Sequence, residues 1–301
     1  MSYWKILKET ALEFWNDDPW TWSASIAFYV IFSLPAIIII TMSVAGSLYD
    51  DAAVRQSLLD QAGRLLGPES AGTIQSILAN AGAYGGSLAA ELAGIAILLF
   101  SATTVIVTLQ HTLNTLWGIR LRPDTNLFKY VVDRLLSLAM VIGMGFLLLV
   151  SLLLDTFLAL FRELVVEWLS GASWILLSGV NQALSLGVIA LIFAVTFRVL
   201  PDAEVAWRDV WTGAFLTALL FSAGKFLIGF YLGNSVFGSI YGAAGSLVVM
   251  LVWIYYSAVI VLVGAEFTYV YARARGRPIR PDSKAMRFPK PSEREPDDPV
   301  W

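Results

Sequence analysis

A single lysine interrupts the apolar stretch AFLTALLFSAGKFLIGFYLG, residues 214–233. An ammonium group in hydrocarbon is costly. Lys225 must therefore face a bundle interior, face a watery cavity, or snorkel along its own stem to the headgroups. Glu91, Asp155 and Asn181, with Gln182 beside it, interrupt other apolar runs. Counting ~1.5 Å of helical rise per residue from the outer ends of the runs puts Glu91 at about 5 Å, Asp155 at about 8 Å, Asn181 at about 10 Å and Lys225 at about 12 Å. Four polar side chains from four segments thus fall in one layer. Asp155 or Glu91 can neutralise the ammonium, and the amides of Asn181 and Gln182 can hydrogen-bond a solute or a headgroup. That chemistry suits an anionic ligand. A Lys–carboxylate pair that only fixes helix register would use the same residues.

Glu266, in VGAEFTYVYARARG, belongs elsewhere. It lies near the opposite end of its run, ~25–30 Å from Lys225 in depth. Arg198 or Arg208 is its expected partner, as a structural clamp. His111 has no acidic or nucleophilic neighbour in sequence, so a structural role is expected.

Catalytic constellations are missing from the pattern. Cysteine is absent and His111 is the one histidine, which removes thiolate nucleophiles, disulfides and multi-histidine metal sites. No G-x-S-x-G elbow occurs. The strings GAYGG and YGAAGS lack a P-loop lysine. Net charge is −3, with no basic, aromatic-laced groove for nucleic acid. No enzyme, cofactor or metal site is expected.

The elements that position these residues follow from the apolar runs. Hydrophobic residues make up 57% of the 301 and charged ones 14%, against about a quarter charged in soluble domains. Lipid must cover much of such a chain. Six runs, at about 23–46, 88–110, 135–160, 174–199, 210–233 and 244–268, each match the ~20 residues that cross a bilayer as a helix. None alternates with period two, so barrel strands do not fit. The expected fold is all-α: a polytopic six-transmembrane-helix bundle over 23–277.

Residues 1–22 carry no signal-peptide pattern. Trp4, Leu7, Ala11 and Phe14 predict an interfacial N-terminal helix. The connection 47–87 reads as two short amphipathic helices over the outer mouth, broken at Gly67 and Pro68. Pro35 interrupts the first run and frees a backbone carbonyl. Gly213, Gly224, Gly229, Gly242 and Gly245 suit close helix packing. The proline-rich, charged segment 278–301 is expected to be a disordered tail. Sixteen of the 20 Lys and Arg fall on the side of the two termini, and Arg55, Arg64 and Arg162 on the other. The rich side is therefore cytoplasmic, with both termini inside.

Several motifs together, ASIAFYVIFSLPAIII, TLQHTLNTLWGIR, LPDAEVAWRDVWTGAFLTALLFSAGKFLIGFYLG and YGAAGSLVVMLVWIYYSAVIVLVGAEFTYVYARARG, resemble the YihY/BrkB membrane protein family. The similarity runs from about Trp15 to Arg277. It implies a six-helix protein of the bacterial inner membrane. The family's motif positions fall on Asn114, Trp117, Gly224, Lys225, Tyr241, Gly242, Gly264, Ala265 and Glu266. His111 stands where a more ordinary polar residue is expected. The family once carried the name ribonuclease BN, and the missing catalytic cluster argues against that activity here. The expected function is translocation of a lipid or small anionic solute through the polar layer. A non-transporting envelope scaffold is the alternative. A wet cavity at Lys225 would favour the first and a sealed helix interface the second.

Overall fold

The structure is a computed structural model. It describes residues 3–46, 88–122, 172–233, 245–288 and 290, with parts of 52–60, 72–79 and 135–143. The long elements are α1 (Tyr3–Asn16), α2 (Pro19–Gly46), α3 (Leu88–Leu116), α4 (Ala172–Val199), α5 (Trp207–Gly233) and α6 (Gly245–Ala274). Four short strands accompany them: β1 (Ile119–Leu121), β2 (Ala203–Glu204), β3 (Arg280–Pro281) and β4 (Ala285–Arg287). Five of the six expected runs are helices, α2 to α6. The run at 135–160 lies almost wholly outside the described residues.

Four helical segments among the described residues are long and apolar enough to cross a membrane: Pro19–Ile39, Gln182–Val199, Trp207–Ile228 and Leu247–Ala274. Their outward faces carry large apolar side chains, including Phe28, Phe32, Phe226, Leu227 and Leu251. In water such a surface would aggregate, and in a bilayer it is the lipid-facing coat. The protein is a mostly helical, multi-pass membrane protein.

Helix α6 is the hub. It packs against α5, α2 and α1, while α5 also packs against α4 and α2 against α3. Helices α5 and α6 approach closely because glycine stands opposite threonine twice. A Cβ on Gly213 would lie 1.8 Å from Thr268 Oγ1, and one on Gly264 would lie 1.7 Å from Thr217 Oγ1. Each threonine hydroxyl donates to the carbonyl four residues back, Thr217 to Gly213 and Thr268 to Gly264, both at 2.7 Å. The two pairs fix an antiparallel register in which Glu266 is level with Phe215. Glu266 is therefore ten residues, ~15 Å, from the level of Lys225. The sequence-based separation of 25–30 Å was too large, because it assumed helix ends that do not line up.

Helix α2 runs through Pro35 without a break. The disturbed backbone next to the proline is served from α3: Ser101 Oγ donates to the Phe32 carbonyl at 3.2 Å, and Ser33 Oγ donates to the Ser101 carbonyl at 2.5 Å. Where described, residues 54–56, 58–60 and 74–76 are helical. Ile74 is buried in a cluster with Ala27, Ile38, Met250 and Ile254.

The short strands gather at one end of the bundle, here called the basal end, together with α1 and the C-terminal segment. Strand β4 pairs antiparallel with β1, and β3 with β2. Ile279 and Ala285 join the main core. This corrects the expectation of disorder from residue 278: residues 278–288 and 290 are folded onto the bundle. Their composition resembles that of disordered chains, but β1 and β2 offer free strand edges and the bundle offers carboxylates. Residues 291–301 lie outside the described residues.

Helix α1 also departs from expectation. Ile6, Thr10 and Phe14 are buried, while Trp4, Leu7 and Ala11 are exposed. Glu9 and Glu13, which read as solvent-facing, are drawn inward by cations on α6 and the C-terminal segment. Trp15, Trp20, Trp207 and Trp211 remain exposed near the basal ends of their helices, the position of an interfacial aromatic belt.

Candidate functional site

Lys225 projects from the middle of the outer part of α5 and is half-buried. Its ammonium lies 6.0 Å from the Phe226 ring centroid. Among the described residues no ion pair includes it. Helix α4 runs antiparallel beside α5, with Arg198 6.0 Å from the Trp207 ring at the basal end. Asn181 and Gln182 therefore lie toward the same outer end as Lys225. Gln182 is exposed. Glu91 and Asn181 sit on α3 and α4, but their side chains lie outside the described residues. Asp155, Tyr241 and Gly242 lie outside them altogether.

The densest polar chemistry is at the basal end. Lys290 is 1% exposed and its Nζ meets three carboxylates: Glu266 Oε1 at 2.7 Å, Glu13 Oε2 at 2.9 Å and Asp17 Oδ2 at 3.0 Å. Its Nζ also lies 4.2 Å from the Tyr269 ring centroid, a cation–π contact. Arg273 bridges Glu9, at 2.5 Å, and Glu13. Tyr269 accepts a hydrogen bond from Arg287 at 2.7 Å.

The spacing Glu9, Glu13, Asp17 explains how one helix face and the turn after it supply three carboxylates, since residues four apart lie on one face. Glu266 and Asp17 have no solvent exposure. Glu266 thus has neither expected partner, Arg198 or Arg208; the cation comes from the segment thought to be disordered. Burial pushes the Glu13 carboxyl up, but the Lys290 charge and the hydrogen bonds from Lys290 and Arg273 outweigh it, and Glu13 sits below its usual value. Burial would lower the Lys290 ammonium. Glu266, Asp17 and Glu13 more than reverse that and hold it above the ordinary lysine range.

Two further clamps flank this cluster. Asp209, fully buried in the first turn of α5, accepts two hydrogen bonds from Arg277, at 3.0 and 2.5 Å. The fork geometry and the helix N-terminus both favour the carboxylate. Asn114 donates to Asp202 Oδ2 at 2.8 Å and accepts from the Asp202 backbone N–H at 2.9 Å, while Gln110 donates to the same carboxylate at 3.2 Å. Trp117, fully buried, donates its indole N–H to the Ala265 carbonyl at 3.1 Å. Next to it Gly118 has φ +63° and its Cβ position lies 2.7 Å from the Phe288 carbonyl, so only glycine fits. Thus Asn114, Trp117, Gly264 and Glu266 converge on the basal end.

His111 is exposed and meets Trp22 edge-on at 5.8 Å. No group of three or more His, Cys, Asp and Glu suited to a metal occurs among the described residues.

The family described as virulence factor BrkB matches residues 10–289. Curated relatives are named UPF0761 membrane proteins. One from Verminephrobacter eiseniae is 35% identical over 182 residues, covering 59% of this chain and 40% of the relative. One from Alkalilimnicola ehrlichii is 28% identical over 88% of this chain and 58% of its own length. One from Xanthomonas campestris is 28% identical over 92% and 61% respectively. The chain spans about 40–60% of the length of these relatives. No solved structure matches it.

Proposed function

The chain belongs to the virulence factor BrkB family, and from that premise we propose that it is a six-helix translocator of the bacterial inner membrane, moving a lipid or a small anionic solute. Both termini lie in the cytoplasm in this reading, as the lysine and arginine bias dictates. The sixth crossing is the apolar run at 135–160. The site is the outer polar layer: Lys225 binds the anionic group, Asn181 and Gln182 hydrogen-bond it, and Asp155 or Glu91 holds the ammonium when the site is empty. No catalytic step is involved.

The observation that carries the reading is Lys225 itself. It is a half-buried cation on an apolar, membrane-length helix, with an aromatic face and no described carboxylate beside it. Intramembrane ionisable residues are rare and characteristically mark substrate or ion pathways. The clamped basal end fits a bundle that opens first toward the outside.

The scaffold reading has its own support in those basal clamps, which lock α1, α5, α6 and the C-terminal segment together.

The chain has no native cysteine, so one labelling experiment separates the two. Lys225→Cys should react with a small charged thiol reagent from the outer side, and anionic phospholipid or solute should slow the reaction. Lys225→Gln should fold and no longer replace the unmutated protein in cells that lack it. A folded Lys225→Cys protein that stays unlabelled, with full function in Lys225→Gln cells, would favour the scaffold.

A further inference from the structure

Among the described residues, the basal cluster brings several carboxylates around few cations. From α1 and the turn after it come Glu9, Glu13 and Asp17; from α6 come Glu266, Tyr269 and Arg273; from the C-terminal segment come Arg287 and Lys290. Arg287 is turned to the Tyr269 hydroxyl and the Ile279 carbonyl. Among the ion pairs of the described residues, four carboxylates meet two cations, Arg273 and Lys290. Glu9 is 31% exposed at its side chain, so water screens its charge. Glu13 and Glu266 share the one fully buried ammonium of Lys290, and Glu13 also meets the guanidinium of Arg273.

A second observation is independent of this count. Glu266 Oε1 accepts from Lys290, but Glu266 Oε2 is buried and meets no hydrogen-bond donor among the described residues. The Glu266 and Glu13 side chains lie within hydrogen-bonding reach of one another. Two carboxylate oxygens facing each other in a buried site cannot both be ionised at low cost, and one proton between them turns a repulsion into a hydrogen bond. Glu13 is the better acceptor of the two, since Arg273 and Lys290 both donate to it.

We propose that Glu266 carries a proton on Oε2 at neutral pH and donates it to the Glu13 carboxylate, so that the basal end of the bundle is a built proton-binding site. The proton relieves the repulsion between the Glu13 and Glu266 carboxylates and satisfies Glu266 Oε2. It also gives a membrane-embedded glutamate that exchanges a proton with the face bearing the C-terminal segment. Displacing Lys290 would add a vacancy for positive charge, so proton uptake and docking of residues 279–288 and Lys290 are coupled. The proposal stands whether or not Lys225 serves translocation.

Infrared spectroscopy of the full-length protein in lipid nanodiscs tests it. The sample is labelled with carbon-13 glutamate, so that glutamic acid is told from aspartic acid. A carbonyl-stretch band of a neutral, hydrogen-bonded glutamic acid should be present at neutral pH, shift in heavy water, and vanish in Glu266→Gln. Glu266→Gln should melt at or above the wild-type temperature, because its amide keeps an acceptor for Lys290 and supplies a donor for Glu13. Glu266→Leu should melt well below it. Lys290→Met should strengthen the band at neutral pH. Absence of the band in the wild type overturns the proposal, and this readout does not depend on any variant folding. A band that persists in Glu266→Gln, or a Glu266→Gln melting point as low as that of Glu266→Leu, also overturns it.

Discussion

Lys290 shows how much one side chain can decide. Removing a buried cation leaves its carboxylates without compensation, and breaking a buried pair costs about 3–5 kcal/mol. Lys290→Met should therefore lower the melting temperature in detergent clearly, whereas Lys284→Met, at an exposed position, should not. The pH dependence has a definite sign. Glu13 is held below its ordinary value in the folded protein. A carboxyl shifted that way stabilises above its unfolded pKa and loses the contribution as pH falls through the folded one. Lys290 is shifted upward; its contribution is complete below the unfolded lysine pKa and is lost as pH rises through the folded one. Docking of the C-terminal segment should thus hold across neutral pH and weaken in acid, below about pH 4. Amide hydrogen exchange in residues 279–288, followed against pH, would measure it. Unchanged protection at low pH would exclude Glu13 as a holding group. Asn114 and Trp117 belong to the same scale. Their sequence motif is visible, but their role, closing the 200–204 turn and capping Ala265, depends on partners about 90 and 150 positions away.

Between elements, the α5–α6 seam is set by glycine and threonine at matched levels. Gly264→Ala would place a methyl 1.7 Å from Thr217 Oγ1. Overpacking of this kind costs about 1–3 kcal/mol. Gly264→Ala and Gly213→Ala should each lower the melting temperature. Thr217→Ala should restore part of the loss for Gly264→Ala but none for Gly213→Ala, whose obstacle is Thr268. A cross-rescue would mean a different register. The apolar runs themselves were legible, because a helix that crosses lipid must satisfy every backbone group internally and must be apolar for about 20 residues. The register between them was not. Gly213 and Gly264 could be singled out as small, but nothing in either run names the threonine it will face.

For the whole molecule, the C-terminal segment closes the basal end and ties α1 to α6. A chain ending at residue 277 loses β3, β4 and Lys290 together, and should unfold at a lower temperature and expose α1 to proteolysis. Equal stability of the shortened chain would mean that the segment only rests on the bundle. Orientation has its own test. Ser87→Cys should react with an impermeant reagent from outside the inner membrane, and Ser283→Cys only after that membrane is opened; the reverse pattern would invert the proposed topology.

Composition and periodicity were enough for the class of the protein: apolar helices in a membrane. These are properties of each segment against its solvent, and lipid reads them one segment at a time. The pairing of Glu266 with Lys290 rather than Arg198 or Arg208, the inward turn of Glu9 and Glu13, and the order in residues 278–288 and 290 were settled only by tertiary structure. A charged, proline-rich segment has no reason of its own to fold. It folds here because β1 and β2 present unpaired edges and because three buried carboxylates, brought together from α1, the turn after it and α6, need a cation that none of those elements supplies in sufficient number.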